Sequence, residues 1–388
     1  MFQIKLMNKI SPAGLENFDK AKYTCAEDIA APDAAIVRSA SMHEMEIPES
    51  LLAVARAGAG VNNIPIDKMA EEGVVVFNTP GANANAVKEL VLLGLLIGSR
   101  KVCDGIDWAK TIKGEGDAVP KLVEKGKAPF GGPEIAGKTL GVIGLGAIGV
   151  LVANAATALG MKVYGYDPYV SVKSAWNVSD KVTYSASLKE IYENCDYISI
   201  HVPLTNETKG MINSASIQTM KSGVRILNYS RADLVVEEDI LAALNEGKVA
   251  SYVTDFPTAG VIGEKGVVAI PHLGASTPES EDNCARMAAL QLIDYLENGN
   301  IVNSVNMPAV SMDRSGDARI CIIHKNVPNV VAEISSKVSS LGLNIDNMIN
   351  KSRGDYAYSM LDVAGDVSHA DIASLKNNEN IIRIRVIK

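Results

Sequence analysis

Cysteine is scarce and unpatterned in this chain. Cys25, Cys103, Cys195, Cys284 and Cys321 are scattered over 388 positions with no Cys-x-x-Cys spacing. Neither a disulfide framework nor a thiolate metal site is indicated, so free thiols in a reducing compartment are expected, with no metal. Excess positive charge is missing too: 37 Lys and Arg face 45 Asp and Glu, a net charge of −8 that argues against nucleic acid or an acidic membrane surface as partner. There is no long apolar run. The most apolar stretch, 86–98, is too short to span a bilayer and contains Lys88 and Glu89, so a buried helix is predicted. The opening Met1-Phe-Gln-Ile-Lys5 has no signal-peptide core, and the cytoplasm is the expected location. With 47% apolar and 21% charged residues, the composition is that of a globular chain long enough for two or three domains.

One glycine cluster organises what is present. A β-branched run at 139–143 reads as a buried strand and breaks at Gly144-Leu-Gly146-Ala147-Ile148-Gly149. An Ala-rich segment then runs to 159 as a helix stopped by Gly160. In such a unit Gly144 permits the tight turn, Gly146 lets a pyrophosphate approach the main chain, and Gly149 lets helix and strand pack closely. The first helical turn, with Ala147 and Ile148, offers unpaired N–H groups and the positive end of the helix dipole. A second strand at 161–166 ends at Asp167, where a carboxylate can hold a ribose 2′-hydroxyl and repel a 2′-phosphate. NAD is therefore the expected cofactor.

Before this unit, β-branched runs at 34–37, 52–55 and 74–77 predict a small parallel α/β domain whose ligands lie beyond the strand ends. Those ends carry Arg38-Ser39, then Arg56-Ala-Gly-Ala-Gly60-Val61-Asn62, then a turn ending at Asn83. Glycine-flanked N–H groups with two arginines suit an anionic substrate. The segment 114–133 lacks periodicity and reads as a surface connection. After Asp167, strands at 195–200, 224–228, 249–253 and 267–270 deliver His201, Arg231, Asp255 and His272 to the sheet edge that holds the glycine turn. A long helix is predicted over 276–298, with Gly299 as its stop, and 305–310 as a linker. The remainder reads as strand 319–324, helix 329–341, strands 344–350 and 356–363, helix 371–375 and strand 381–387, a ferredoxin-like βαββαβ unit.

These motifs, with His201-Val202-Pro203-Leu-Thr205, Asn228-Tyr229-Ser230-Arg231 and Pro271-His272-Leu-Gly-Ala-Ser-Thr277, give a resemblance over essentially the whole length. The chain resembles the D-isomer-specific 2-hydroxyacid dehydrogenases, and within them the branch acting on 3-phosphoglycerate, which often carries a C-terminal ACT regulatory domain. The resemblance implies an α/β fold: a Rossmann-type NAD domain (99–276) inserted in a flavodoxin-like substrate domain (1–98 and 277–308), followed by an ACT domain (315–388). It implies His272 as acid/base and Arg231 as clamp on the substrate carboxylate. It implies cofactor contacts from Gly144, Gly146, Ala147, Ile148, Gly149, Asp167, His201, Val202, Pro203, Thr208, Tyr229, Ser230, Asp255 and His272. Arg38, Ser39, Arg56, Gly60, Val61, Asn62 and Asn83 would join Arg231 on the substrate, and His324, Asn326 and Asn344 would bind L-serine as effector. A homodimer or homotetramer is implied.

One departure stands out. The family pattern places a glutamate, bonded to the catalytic histidine, where this chain has Gly260; the next acid is Glu264, which reads more readily as a solvated turn residue. Such a carboxylate orients the imidazole and stabilises the imidazolium, so a weakened dehydrogenase is expected. Two other readings stay open: an enzyme for a different small 2-hydroxy acid such as 2-hydroxyglutarate, or a non-catalytic regulator that binds nucleotide and amino acid. A second arginine favours a substrate with two anionic ends.

Overall fold

The computed structural model describes the backbone of all 388 residues, and the side chains of all but residues 369 and 370. Two compact units emerge, one of residues 1–83 with 278–388, the other of 84–277.

In the first unit five short strands form an all-parallel sheet in the spatial order Tyr23–Ala26, Phe2–Leu6, Ala34–Val37, Ala53–Arg56, Val75–Phe77. That is the flavodoxin-like order 2-1-3-4-5. The central strand Ala34–Val37 is buried throughout, as a sheet covered on both faces requires. The helix Pro278–Asn298 covers one face, packing Ala285, Ala288, Leu292 and Tyr295 against Ala55 and Phe77.

The predicted linker at 305–310 is no linker. Asn306 is 7% exposed, and its amide accepts from Val76 N (2.9 Å) and donates to Val74 O (2.8 Å), closing the open edge of the last strand. An edge strand needs such partners, which is why the segment is held in place.

The C-terminal sheet is antiparallel, ordered Asn344–Arg353, Tyr356–Ala364, Ala318–Lys325, Ile381–Ile387, the ferredoxin-like arrangement of a βαββαβ chain. It does not stand apart as the expected boundary at 315 implies. Arg385 donates to Tyr295 O (3.2 Å) and Leu296 O (2.9 Å), Arg319 to Asn298 O (2.8 Å), and Tyr358 Oη to Gly299 O (2.7 Å). The orphan carbonyls at the end of the long helix are thus capped from this sheet. Arg383 reaches Leu51 O (2.6 Å) and Glu72 O (2.8 Å). Asn329 sits at φ 71°, a left-handed conformation that asparagine tolerates.

In the second unit seven parallel strands run Val267–Ala269, Val249–Thr254, Val224–Asn228, Tyr197–Ile200, Thr139–Ile143, Lys162–Tyr166, Val182–Tyr184, a doubly wound Rossmann order. The helix Ala84–Ser99 belongs here rather than with the first strands, because Val87, Val91 and Leu95 pack on Leu140, Leu227 and Val253. It is only half buried: Leu93 and Leu96 are 46% and 42% exposed. The segment 114–133 is exposed as expected, yet helical, with Val119–Gly126 as an α-helix started by Pro120. Among the described residues no helix is long and apolar enough to cross a membrane.

Candidate active site

The glycine turn follows the strand Thr139–Ile143 and opens the helix Ala147–Ala158. Gly144 has φ 93°, and a Cβ there would lie 2.5 Å from His201 O. A Cβ on Gly149 would collide with Gly144 O. Gly146 differs: nothing lies within 4 Å of the Cβ it lacks. Two glycines are therefore fixed by packing, and the third leaves open space at a helix N-terminus, the arrangement that admits a phosphate. Asp167 ties the turn to the second strand, accepting from Leu145 N and from Tyr169 N, both at 2.8 Å.

At the ends of the neighbouring strands, Asn228 builds the turn that carries Arg231. Fully buried, it donates to Arg231 O (2.8 Å) and accepts from Ser230 N (3.2 Å). The next strand end brings Asp255, 1% exposed, and Phe256. His272 lies with its ring centroid 4.5 Å from that of Phe256, and the Arg231 guanidinium carbon is 5.7 Å from the same ring. One aromatic side chain thus gathers the imidazole and the guanidinium. Burial pushes the Asp255 carboxyl above its ordinary value, against the pull of His272, Gly274 N and Arg231. Its Oδ1 is buried without a partner.

His201 behaves otherwise. Its Nε2 meets Ser199 Oγ at 2.8 Å, its Nδ1 is buried without a partner, and burial pushes its pKa down to about 4. The ring is neutral at neutral pH. Since the unfolded chain takes up that proton near pH 6.5 and the folded one only near 4, stability is full above about 6.5 and declines as pH falls towards 4, by about 3 kcal/mol at most. Urea unfolding of a His201→Gln variant is expected to lose that part of the pH dependence; an unchanged slope between pH 6.5 and 4 would show that His201 titrates normally.

Several expected contacts are engaged elsewhere. The Tyr229 ring is 5% exposed and packs at Gly94, with its Oη buried and without a partner. Ser230 Oγ donates to Ile200 O (2.7 Å). Thr208 Oγ1 donates to Pro203 O (2.6 Å) and accepts from Thr205 N (2.8 Å), closing its own loop.

In the first unit, Arg38 pairs with Glu281 at 2.5 Å, and the N–H groups of Arg38 and Ser39 go to Asn8 Oδ1, both at 3.1 Å. One nitrogen of the Arg38 guanidinium is thus already paired with a carboxylate at the surface. Arg56 is different: it donates to Arg38 O (3.2 Å), has no acidic partner among the described residues, and has its pKa lowered by burial. A desolvated cation without a counter-charge calls for an anion. Asn62 O accepts from His43 Nε2 (3.0 Å).

Of the residues expected at the effector, His324 is 2% exposed, and its ring meets Lys325 O (2.8 Å), Asn350 Oδ1 (3.1 Å) and Ser359 Oγ (3.0 Å). Asn326 donates to Gly354 O (3.1 Å), beside the end of the strand Asn344–Arg353 opposite to Asn344. The nine residue steps from Asn344 to Arg353 place the two ends about 30 Å apart.

No acid bonds to the His272 ring among the described residues, and Glu264 is exposed on its own turn. A Cβ at Gly260 would instead collide with the carboxylate of Glu237, which accepts from Thr258 Oγ1. Phe256, Asn228 and Glu237 are the residues sequence reasoning passed over. An aromatic directly after a strand-end aspartate was the available sign for Phe256.

The family model for the D-isomer specific 2-hydroxyacid dehydrogenase, NAD binding domain, matches residues 100–274. The putative D-3-phosphoglycerate dehydrogenase of Schizosaccharomyces pombe is 32% identical over 347 residues, 82% of this chain and 70% of that one. The D-3-phosphoglycerate dehydrogenase of Bacillus subtilis is 31% identical over 331 residues, 81% of this chain and 60% of its own. The NAD+-bound 3-phosphoglycerate dehydrogenase of Entamoeba histolytica superposes with a TM-score of 0.60 at 27% identity, over 79% of this chain and 98% of that one. The chain belongs to the D-isomer-specific 2-hydroxyacid dehydrogenase family. It spans only 60% and 51% of the Bacillus and rat D-3-phosphoglycerate dehydrogenases that it matches.

Proposed function

We propose that the chain oxidises 3-phospho-D-glycerate to 3-phosphohydroxypyruvate with NAD, the reaction that opens L-serine synthesis. The observation that carries this reading is the gathering of His272 and Arg231 on Phe256, in the sheet that holds the open glycine turn. The residues fit the dinucleotide. Gly146 leaves space for a pyrophosphate, Asp167 stands where a ribose diol is held, and the orphaned Asp255 Oδ1 is an acceptor for a carboxamide N–H. NAD, when bound, supplies the acceptor for the hydride that leaves C2.

The chain's own part is proton handling and orientation. His272 takes the C2 hydroxyl proton, and Arg231 holds the substrate carboxylate through a planar fork that lysine could not reproduce. Arg56 is a half-buried cation of the first unit with no acidic partner among the described residues, and a phosphate is the anion that the proposed substrate offers it. Gly60, Val61, Asn62 and Asn83 stay assigned to substrate on the resemblance alone. L-serine is the proposed effector, held by Asn326 of one ACT unit and Asn344 of another. Their separation within one chain supports a homodimer or homotetramer.

The missing acid beside His272 favours, as a second reading, a slow enzyme or a nucleotide-binding regulator. NADH oxidation by the purified chain with 3-phosphohydroxypyruvate, 2-oxoglutarate and glyoxylate, with and without serine, separates these. Turnover highest with the phosphorylated keto acid is the expected result. NADH binding without turnover of any of the three would leave the regulator.

A further inference from the structure

The helix Pro278–Asn298 buries one side in its unit and turns the adjoining side to a cleft of about 550 Å³. The size is that of small-molecule sites. Gln291 lines it, is 9% exposed, and has both its amide oxygen and its amide nitrogen buried without a partner. A helix position in this setting could carry leucine at no such cost, so an amide orphaned at both ends marks a missing polar partner. Arg286, on the same wall, makes no ion pair or hydrogen bond among the described residues. Asp294 Oδ1 accepts from Asn298 Nδ2 (2.9 Å) and Asn300 Nδ2 (3.0 Å), and no donor among the described residues faces its Oδ2. Met287, Leu290 and Val302 supply apolar surface, with Leu290 and Val302 50% and 43% exposed.

These groups follow one another along the helix. At about 1.5 Å per residue, Arg286 precedes Gln291 by about 7.5 Å, and Gln291 precedes Asp294 by about 4.5 Å. The wall therefore offers a positive end, a neutral donor–acceptor pair and a negative end, with no net charge. A free amino acid carries its carboxylate and ammonium on a single carbon and cannot reach both ends. Two linked residues span about 7 Å and place an amide between the charges, and the length of an arginine side chain makes up the rest of the roughly 12 Å between Arg286 and Asp294 along the helix.

We propose that this cleft binds a short zwitterion with a central amide, the chemistry of a dipeptide. Its carboxylate lies on Arg286, its amide pairs with Gln291, its ammonium meets Asp294, and its side chains rest on Met287, Leu290 and Val302. Nothing in the cleft belongs to the catalytic machinery, so the site is independent of the proposed dehydrogenase reaction and is tested without it.

Isothermal titration of the full chain with alanyl-leucine is the test, beside its N-acetylated and C-amidated forms and free alanine and leucine. The unblocked dipeptide is expected to bind, with affinity reduced about tenfold or more by blocking either end, and free amino acids to bind worse than both. Arg286→Gln should weaken the dipeptide by a similar factor while leaving the C-amidated form unchanged. Gln291→Leu should abolish binding yet raise Tm, since it removes the orphaned amide. No heat at millimolar dipeptide, or equal affinity for blocked and free forms, overturns the proposal. So does a Gln291→Leu variant that loses Tm and dissociates into smaller species, which would give the cleft to a second copy of the chain.

Discussion

His272→Ala is expected to lower kcat for 3-phosphohydroxypyruvate reduction by about 10²- to 10⁴-fold, the range for loss of a positioned acid/base. NADH binding, followed by fluorescence titration, should hold, because the glycine turn and Asp167 are untouched. The structure gives the imidazole an aromatic rest, Phe256 at 4.5 Å, and a buried carboxylate nearby in Asp255, but no acid bonded to the ring. The histidine is therefore held by packing more than by a hydrogen bond, and its proton transfer has no second group in contact to take over. A loss smaller than tenfold would remove His272 from the reaction and with it the assignment of Arg231.

The second large effect concerns stability. Arg319 and Asp362 are both 0% exposed and paired at 2.6 Å (Nε–Oδ1) and 2.8 Å (Nη2–Oδ2). Burial opposes the Arg319 charge, yet Asp362 outweighs it and raises the pKa; Asp362 in turn is held below the ordinary carboxylate range by Arg319 and Ser315 N. Asp362→Ala leaves a guanidinium in the interior with only the carbonyls of Asn298, Met312 and Asp313 around it. The expected cost is about 3–5 kcal/mol in urea unfolding. A change under about 1 kcal/mol would mean that those three carbonyls suffice for the buried charge.

Much of the architecture could be read from the chain because the pattern leaves few choices. β-branched runs ending in glycine or polar turns, alternating with helices, define parallel sheets, and right-handed crossovers then restrict the strand order. The roles of Gly144 and Gly149 were legible for a similar reason: each sits where a Cβ has nowhere to go.

What stayed hidden depends on partners distant in sequence. Arg38 is neutralised by Glu281, 243 positions away, and His324 finds Ser359 and Asn350 only after the C-terminal sheet forms. Thr208 escaped for the opposite reason, its hydroxyl being consumed within five residues by Pro203. The gap at Gly260 was visible, but that Glu237 would occupy its space could not be read from a helix start 23 positions earlier.

The capping of the long helix by Arg319, Tyr358 and Arg385 bears on how control by the C-terminal sheet can be studied. Shortening the chain before residue 315 would strip the terminal turn of Pro278–Asn298 of its hydrogen-bond donors and expose Tyr295 to water. Any change in turnover after such a deletion would mix lost control with unwinding. Point changes at the exposed Asn344, Asp346 and Asn347, which take no part in that grip, separate the two.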